Sequence, residues 1–109
     1  MPKEKNNFPR RPPLTVITKV SDPYENTLKA LDALSLPSLQ GKKILLKPNA
    51  GRCVPARQGV TTHPQVVAAA IDFFQKVKPA TIFLGESPIL GVKALDALEK
   101  AEMAEIARK

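Results

Sequence analysis

Apolar residues fall in blocks along this chain, and their spacing changes from block to block. The run Ile44-Leu45-Leu46, entered through Lys43 and stopped by Pro48, has the length and continuity of a buried strand. From Pro64 to Val77 the pattern turns helical. Val67, Ile71, Phe74 and Val77 recur on one helical face, and Ala68, Ala69 and Ala70 leave room for close packing on a sheet.

The same strand-then-helix order brackets this unit on both sides. Leu14 to Val20 is dense in β-branched residues (Thr15, Val16, Ile17, Thr18, Val20) and predicts a strand. Ser21-Asp22-Pro23 has the composition of a helix start, with Leu28, Leu31 and Leu34 at helical spacing before Pro37 and Gly41 end the pattern. Further on, Ala80 to Leu84 predicts a third strand and Gly85 to Gly91 a turn. Val92, Leu95, Leu98 and Ile106 then predict a last helix. The order βαβαβα implies an α/β chain: a three-layer, Rossmann-like partial domain with a short parallel sheet.

Residues 14–109 form that domain, and 1–13 are expected to be a flexible, basic, proline-rich arm with too little apolar surface to offset the entropy of ordering. An all-parallel sheet is normally covered on both faces and rarely stops at three strands. The domain is therefore expected to be an N-terminal fragment of a larger one, completed by a missing C-terminal portion or by homo-oligomerisation.

Composition narrows the chemistry. Seventeen Lys and Arg against ten Asp and Glu give a formal charge of +7, which favours an anionic partner. The lone Cys53 can form no intramolecular disulfide and cannot by itself hold a structural zinc or an iron–sulfur cluster, so no cofactor is identifiable within the chain. No apolar run approaches the ~18 residues that span a bilayer, and the N-terminal segment lacks a signal-peptide core. A cytoplasmic location with no membrane partner is expected. There is neither a Gly-x-x-x-x-Gly-Lys-Ser/Thr phosphate loop nor, in the first connection, a Gly-x-Gly-x-x-Gly, which excludes the usual nucleotide sites.

The candidate chemistry gathers where strands hand over to helices. In open α/β sheets ligands bind beyond the carboxyl ends of the strands. Lys47, Asn49, Arg52, Arg57, Thr61, Thr62 and His63 all lie on the connection that follows Leu46. Lys47 is the first choice for holding an anion, reinforced by Arg52 or Arg57 and by N–H groups of the following helix. A lysine at a strand end is also often simply solvated. Thr62 can cap that helix, with Gln65 completing a capping box and Pro64 in the first turn. His63, not needed for capping, is the candidate general base or orienting donor, although a structural histidine fits the same position. Asn49 either touches the ligand or shapes the turn. After the third strand, Glu86 can orient Lys47 or move a proton, and Ser87 either binds ligand or turns the chain. The loop from Ala50 to Val60 can fold over a ligand as a small lid. No Gly-x-Ser-x-Gly elbow accompanies Ser87, so it is not expected to be a nucleophile.

The strings Ile44-Leu45-Leu46-Lys47-Pro48-Asn49 and Thr61-Thr62-His63-Pro64-Gln65-Val66-Val67, continued by Gly85-Glu86-Ser87-Pro88, resemble the domain-of-unknown-function 362 family over roughly residues 14 to 109. The resemblance implies the α/β fold and a possible redox context, because some relatives are joined to ferredoxin-like modules carrying iron–sulfur clusters. Such a cluster would belong to a longer parent protein. Glu86 replaces the Asp associated with the family's Gly-Asp-Ser-Pro turn.

Three functions fit. The first is binding or transformation of a small anionic metabolite, with His63 and Glu86 as catalytic candidates and Lys47, Asn49, Arg52, Arg57, Thr61, Thr62 and Ser87 as ligand-binding ones. The second is a scaffold or redox partner for an iron–sulfur module. The third is non-specific nucleic-acid binding through the basic arm and loop, which is disfavoured by the lack of interleaved aromatic residues.

Overall fold

The computed structural model describes residues 15–19 and 22–109. The N-terminal arm lies outside the described residues, as do Leu14, Val20 and Ser21. Helix α1 spans Pro23–Asp32, strand β1 Lys43–Leu46, helix α2 Pro64–Gln75, strand β2 Thr81–Leu84, helix α3 Ala94–Lys100 and helix α4 Met103–Arg108. The chain is a small α/β unit with a short parallel sheet.

Local chemistry starts each element. The Asp22 carboxylate accepts the N–H of Glu25 at 2.9 Å, and Pro23 occupies the first turn of α1, where a missing N–H costs nothing. Strands β1 and β2 pair in parallel, Lys43 with Thr81 through Leu46 with Leu84. Ala80 N–H to Lys42 O at 2.9 Å and Gly85 N–H to Leu46 O at 3.0 Å extend the ladder at both ends. The second of these fixes the start of the two site loops side by side.

The two faces of the sheet differ sharply. Ile44, Leu46, Ile82 and Leu84 are half-buried on the helix side, where Ala50, Val67, Ala97, Leu98, Ala101, Met103 and Ala104 form the core and Leu84 packs against it. On the other face Leu45 and its strand partner Phe83 stay 63% and 51% exposed. Among the described residues the layering is thus helices on sheet, with the outer apolar pair uncovered.

Two expectations need correction. Residues 15–19 form no strand, so the described sheet has two strands. Thr18 instead spends its hydroxyl on Asn26 O of α1, at 2.8 Å. The last helix is also not continuous. The chain breaks at Glu102, which sits in the left-handed region at φ 63° while its N–H bonds Glu99 O. The break turns the following residue inward, and Met103 becomes fully buried. No helix among the described residues is long and apolar enough to cross a membrane.

A polar rim at the strand ends

The residues beyond β1 and β2 are joined by hydrogen bonds before any ligand is considered. Asn49 and Thr62 clasp the two ends of the long β1–α2 connection. Thr62 N–H donates to Asn49 O at 2.8 Å, and Asn49 N–H donates to the Thr62 hydroxyl oxygen at 2.9 Å. The Asn49 side chain adds contacts to Val60 O at 3.3 Å and from Gly51 N–H at 3.4 Å. Asn49 therefore shapes the connection.

This clasp explains a further correction. The Thr62 hydroxyl is occupied by Asn49, and the helix is capped by the next residue: His63 is the N-cap of α2, its Nδ1 accepting the Gln65 N–H at 3.1 Å. An accepting Nδ1 carries no proton, which leaves Nε2 as the ring nitrogen able to exchange one with a ligand. Truncating His63 to Ala is expected to cost about 0.5–2 kcal/mol, the usual range for a lost cap, while His63→Asn retains most of it. Urea unfolding of both variants checks this.

The same geometry uses up the helix N-terminus. Pro64 has no N–H, Gln65 donates to His63 Nδ1, and Val66 donates to His63 O at 3.0 Å. Residues 64–66 therefore have no N–H to give an anion at this rim.

Glu86 ties the second loop to the first. Its Oε1 accepts the N–H of Ser87 at 2.8 Å and its Oε2 that of Ala50 at 3.1 Å, across the gap between the two strand ends. Lys47 Nζ stands 3.7 Å from Oε1. The Glu86 side chain is only 10% exposed, and that of Lys47 is 62% exposed. The Ser87 and Ala50 N–H groups, with the Lys47 charge behind them, hold the Glu86 carboxyl below its ordinary range, so it is ionised at neutral pH. Such a carboxylate orients its neighbours more readily than it takes up protons. Ser87 itself is exposed.

Lys47 and Thr62 line one pocket of ≈ 170 Å³ at the carboxyl end of β1. Its other walls are Leu46, Pro48, Val66, Val67 and Ala70. His63 directly follows the lining residue Thr62. Thr61, on the other side, holds a buried hydroxyl oxygen with no hydrogen-bond partner, an arrangement uncommon in folded proteins.

Of the two loop arginines, Arg57 is engaged at another place in the fold. Arg57, at φ 66°, pairs through Nη1 with Glu102 Oε2 at 2.6 Å, at the break between α3 and α4. Arg52 is exposed on the same loop. The loop is fastened further by Ile89 N–H to Gly51 O at 3.0 Å and by Cys53 Sγ to Asp96 O at 3.6 Å. It rests against α3 and the β2–α3 connection. Among the described residues no group of three or more His, Cys, Asp or Glu side chains is placed to hold a metal ion.

Fold and site together define a small α/β protein with a polar rim at the carboxyl ends of two parallel strands. The family model for Domain of unknown function (DUF362) matches residues 44–109, more than half of the sequence, and the chain belongs to that family. The match opens inside β1 and takes in every candidate site residue from Lys47 to Ser87. Residues 14–43 lie outside it. No curated protein and no solved structure matches the chain.

Proposed function

We propose that this chain binds a small anionic metabolite at the strand-end rim, with the Lys47 ammonium as its counter-charge. The observation that carries this reading is the position of Lys47. It lines the pocket, remains largely exposed, and meets the Glu86 carboxylate at the loose distance of 3.7 Å. An ammonium has three donors, so a ligand oxygen can join without displacing Glu86. Thr61 and His63 flank the lining residue Thr62 in the sequence, and the cap leaves His63 Nε2 as the ring nitrogen open to a ligand. Should the bound molecule be transformed, His63 moves the proton and Glu86 positions Lys47. A cytoplasmic setting accords with the lone, exposed Cys53.

Replacing Lys47 by Met keeps the stem and removes the charge. Binding of a small carboxylate is expected to fall at least about tenfold, as for loss of a charge-assisted hydrogen bond. Binding that falls steeply with salt and does not depend on Lys47 would instead indicate diffuse polyanion contact.

The uncovered pair Leu45 and Phe83 supports a companion proposal, that further chain or a second copy completes the sheet. Sedimentation and cooperative unfolding test it. A monodisperse monomer that unfolds in one sharp step would overturn it.

A further inference from the structure

We infer that the ligand is a carboxylate with an apolar body close in size to a benzene ring, which lies in the pocket while the carboxylate meets Lys47. The inference rests on the reading above and adds the chemical class of the ligand. The pocket measures ≈ 170 Å³, with Leu46, Pro48, Val66, Val67 and Ala70 as its apolar walls. A volume of about 150 Å³ is enough to take up benzene, and this pocket, unlike an enclosed cavity, opens to solvent so that a charged end can stay outside it. Thr62 adds a single hydroxyl, whose oxygen accepts the Asn49 N–H and whose O–H is still able to donate to the carboxylate end of a ligand.

The acidic end is a carboxylate on donor grounds. A phosphoryl group needs several converging donors, and the first turn of α2 has none to give. Arg57 is engaged with Glu102, and the ionised Glu86 beside Lys47 repels a dianion more than a monoanion. One ammonium beside one apolar cavity suits a single negative charge on a compact hydrophobic body.

The experiment is a backbone amide NMR titration of the full chain with benzoate, acetate and inorganic phosphate at constant ionic strength. Benzoate is expected to bind about tenfold or more tighter than acetate, the scale on which an apolar pocket discriminates. Its shifts should centre on Val66, Val67 and Ala70, with phosphate weakest. Ala70→Leu, which fills the cavity, should bring benzoate down to the acetate level. Val66→Thr, which makes the wall polar at similar volume, should weaken benzoate in the same direction. The spectra show whether each variant is folded. Equal affinity for benzoate and acetate, or phosphate binding tighter than both, would overturn the inference while leaving an anion at Lys47 standing. Benzoate binding unchanged in Lys47→Met would instead overturn the anion reading beneath it.

Discussion

Replacing Met103 by Ala is expected to destabilise the fold by about 2–5 kcal/mol, the range for truncating a large buried apolar side chain. Small domains hold only about 5–15 kcal/mol of net stability, so a large part of the population would unfold under mild conditions. Met103 is completely buried and shares one core with Ala97, Leu98, Ala101 and Val67 of α2. The same core holds Val67 and Leu98 with Ile71, Leu84, Val92 and Ile106 packed against it, and how far these close over the space sets where in that range the cost falls. Urea unfolding should show a lower midpoint at unchanged slope. Leu90→Ala, at a fully exposed leucine, serves as the control and should shift stability by no more than about 0.5 kcal/mol. If the two variants behave alike, the break at Glu102 does not serve the core.

That break marks a limit of what the amino-acid pattern reveals. The strand, turn and helix from Lys43 through Gln75 were legible because each boundary has a local cause: a short apolar run, then Pro48, then Pro64 at a helix start. The break between α3 and α4 has no glycine or proline to announce it. Glu102 adopts a left-handed conformation that the Arg57 ion pair and the burial of Met103 make worthwhile, and Arg57 and the core residue Val67 are remote from it in sequence. The cap of α2 was misassigned for a similar reason. Thr62 and His63 both carry acceptors, and only the tertiary bond from Asn49 N–H to the Thr62 oxygen decides between them.

The site was legible in outline because strand ends converge in any parallel pair, so Lys47 and Glu86 had to be neighbours once β1 and β2 paired in register. Arg57 was not legible, for a loop residue near the site in sequence can fold away from it. Nor was the exposure of Leu45 and Phe83, since a continuous apolar run reads as covered on both faces. The β-branched stretch at Thr15 to Thr18 shows the converse. Its propensity suits a strand, yet without a pairing partner propensity alone does not make one.

Glu86→Gln is expected to make the protein less stable at neutral pH and to flatten its dependence on acid. The carboxylate accepts two backbone N–H groups, from Ser87 and Ala50, beside the Lys47 charge. A glutamine keeps one oxygen but turns an NH₂ towards the other N–H, setting donor against donor. Because the folded-state pKa lies below the ordinary value of 4.5, Glu86 contributes its stability in full above that value and loses it as the pH falls through the folded pKa. The gap between wild type and Glu86→Gln should therefore be widest near neutrality and close progressively below about pH 4.5. Comparing the two proteins at each pH cancels the carboxylates they share. Parallel curves from pH 7 to pH 3 would mean that the two N–H groups do not depend on the charge of this carboxylate. Ligand affinity and turnover, read together, separate its roles. As an orienting group its removal loosens the loops yet relieves repulsion of an anion at Lys47, so carboxylate affinity should hold or rise. A carboxyl that itself exchanged protons with the ligand would leave affinity in place and stop turnover.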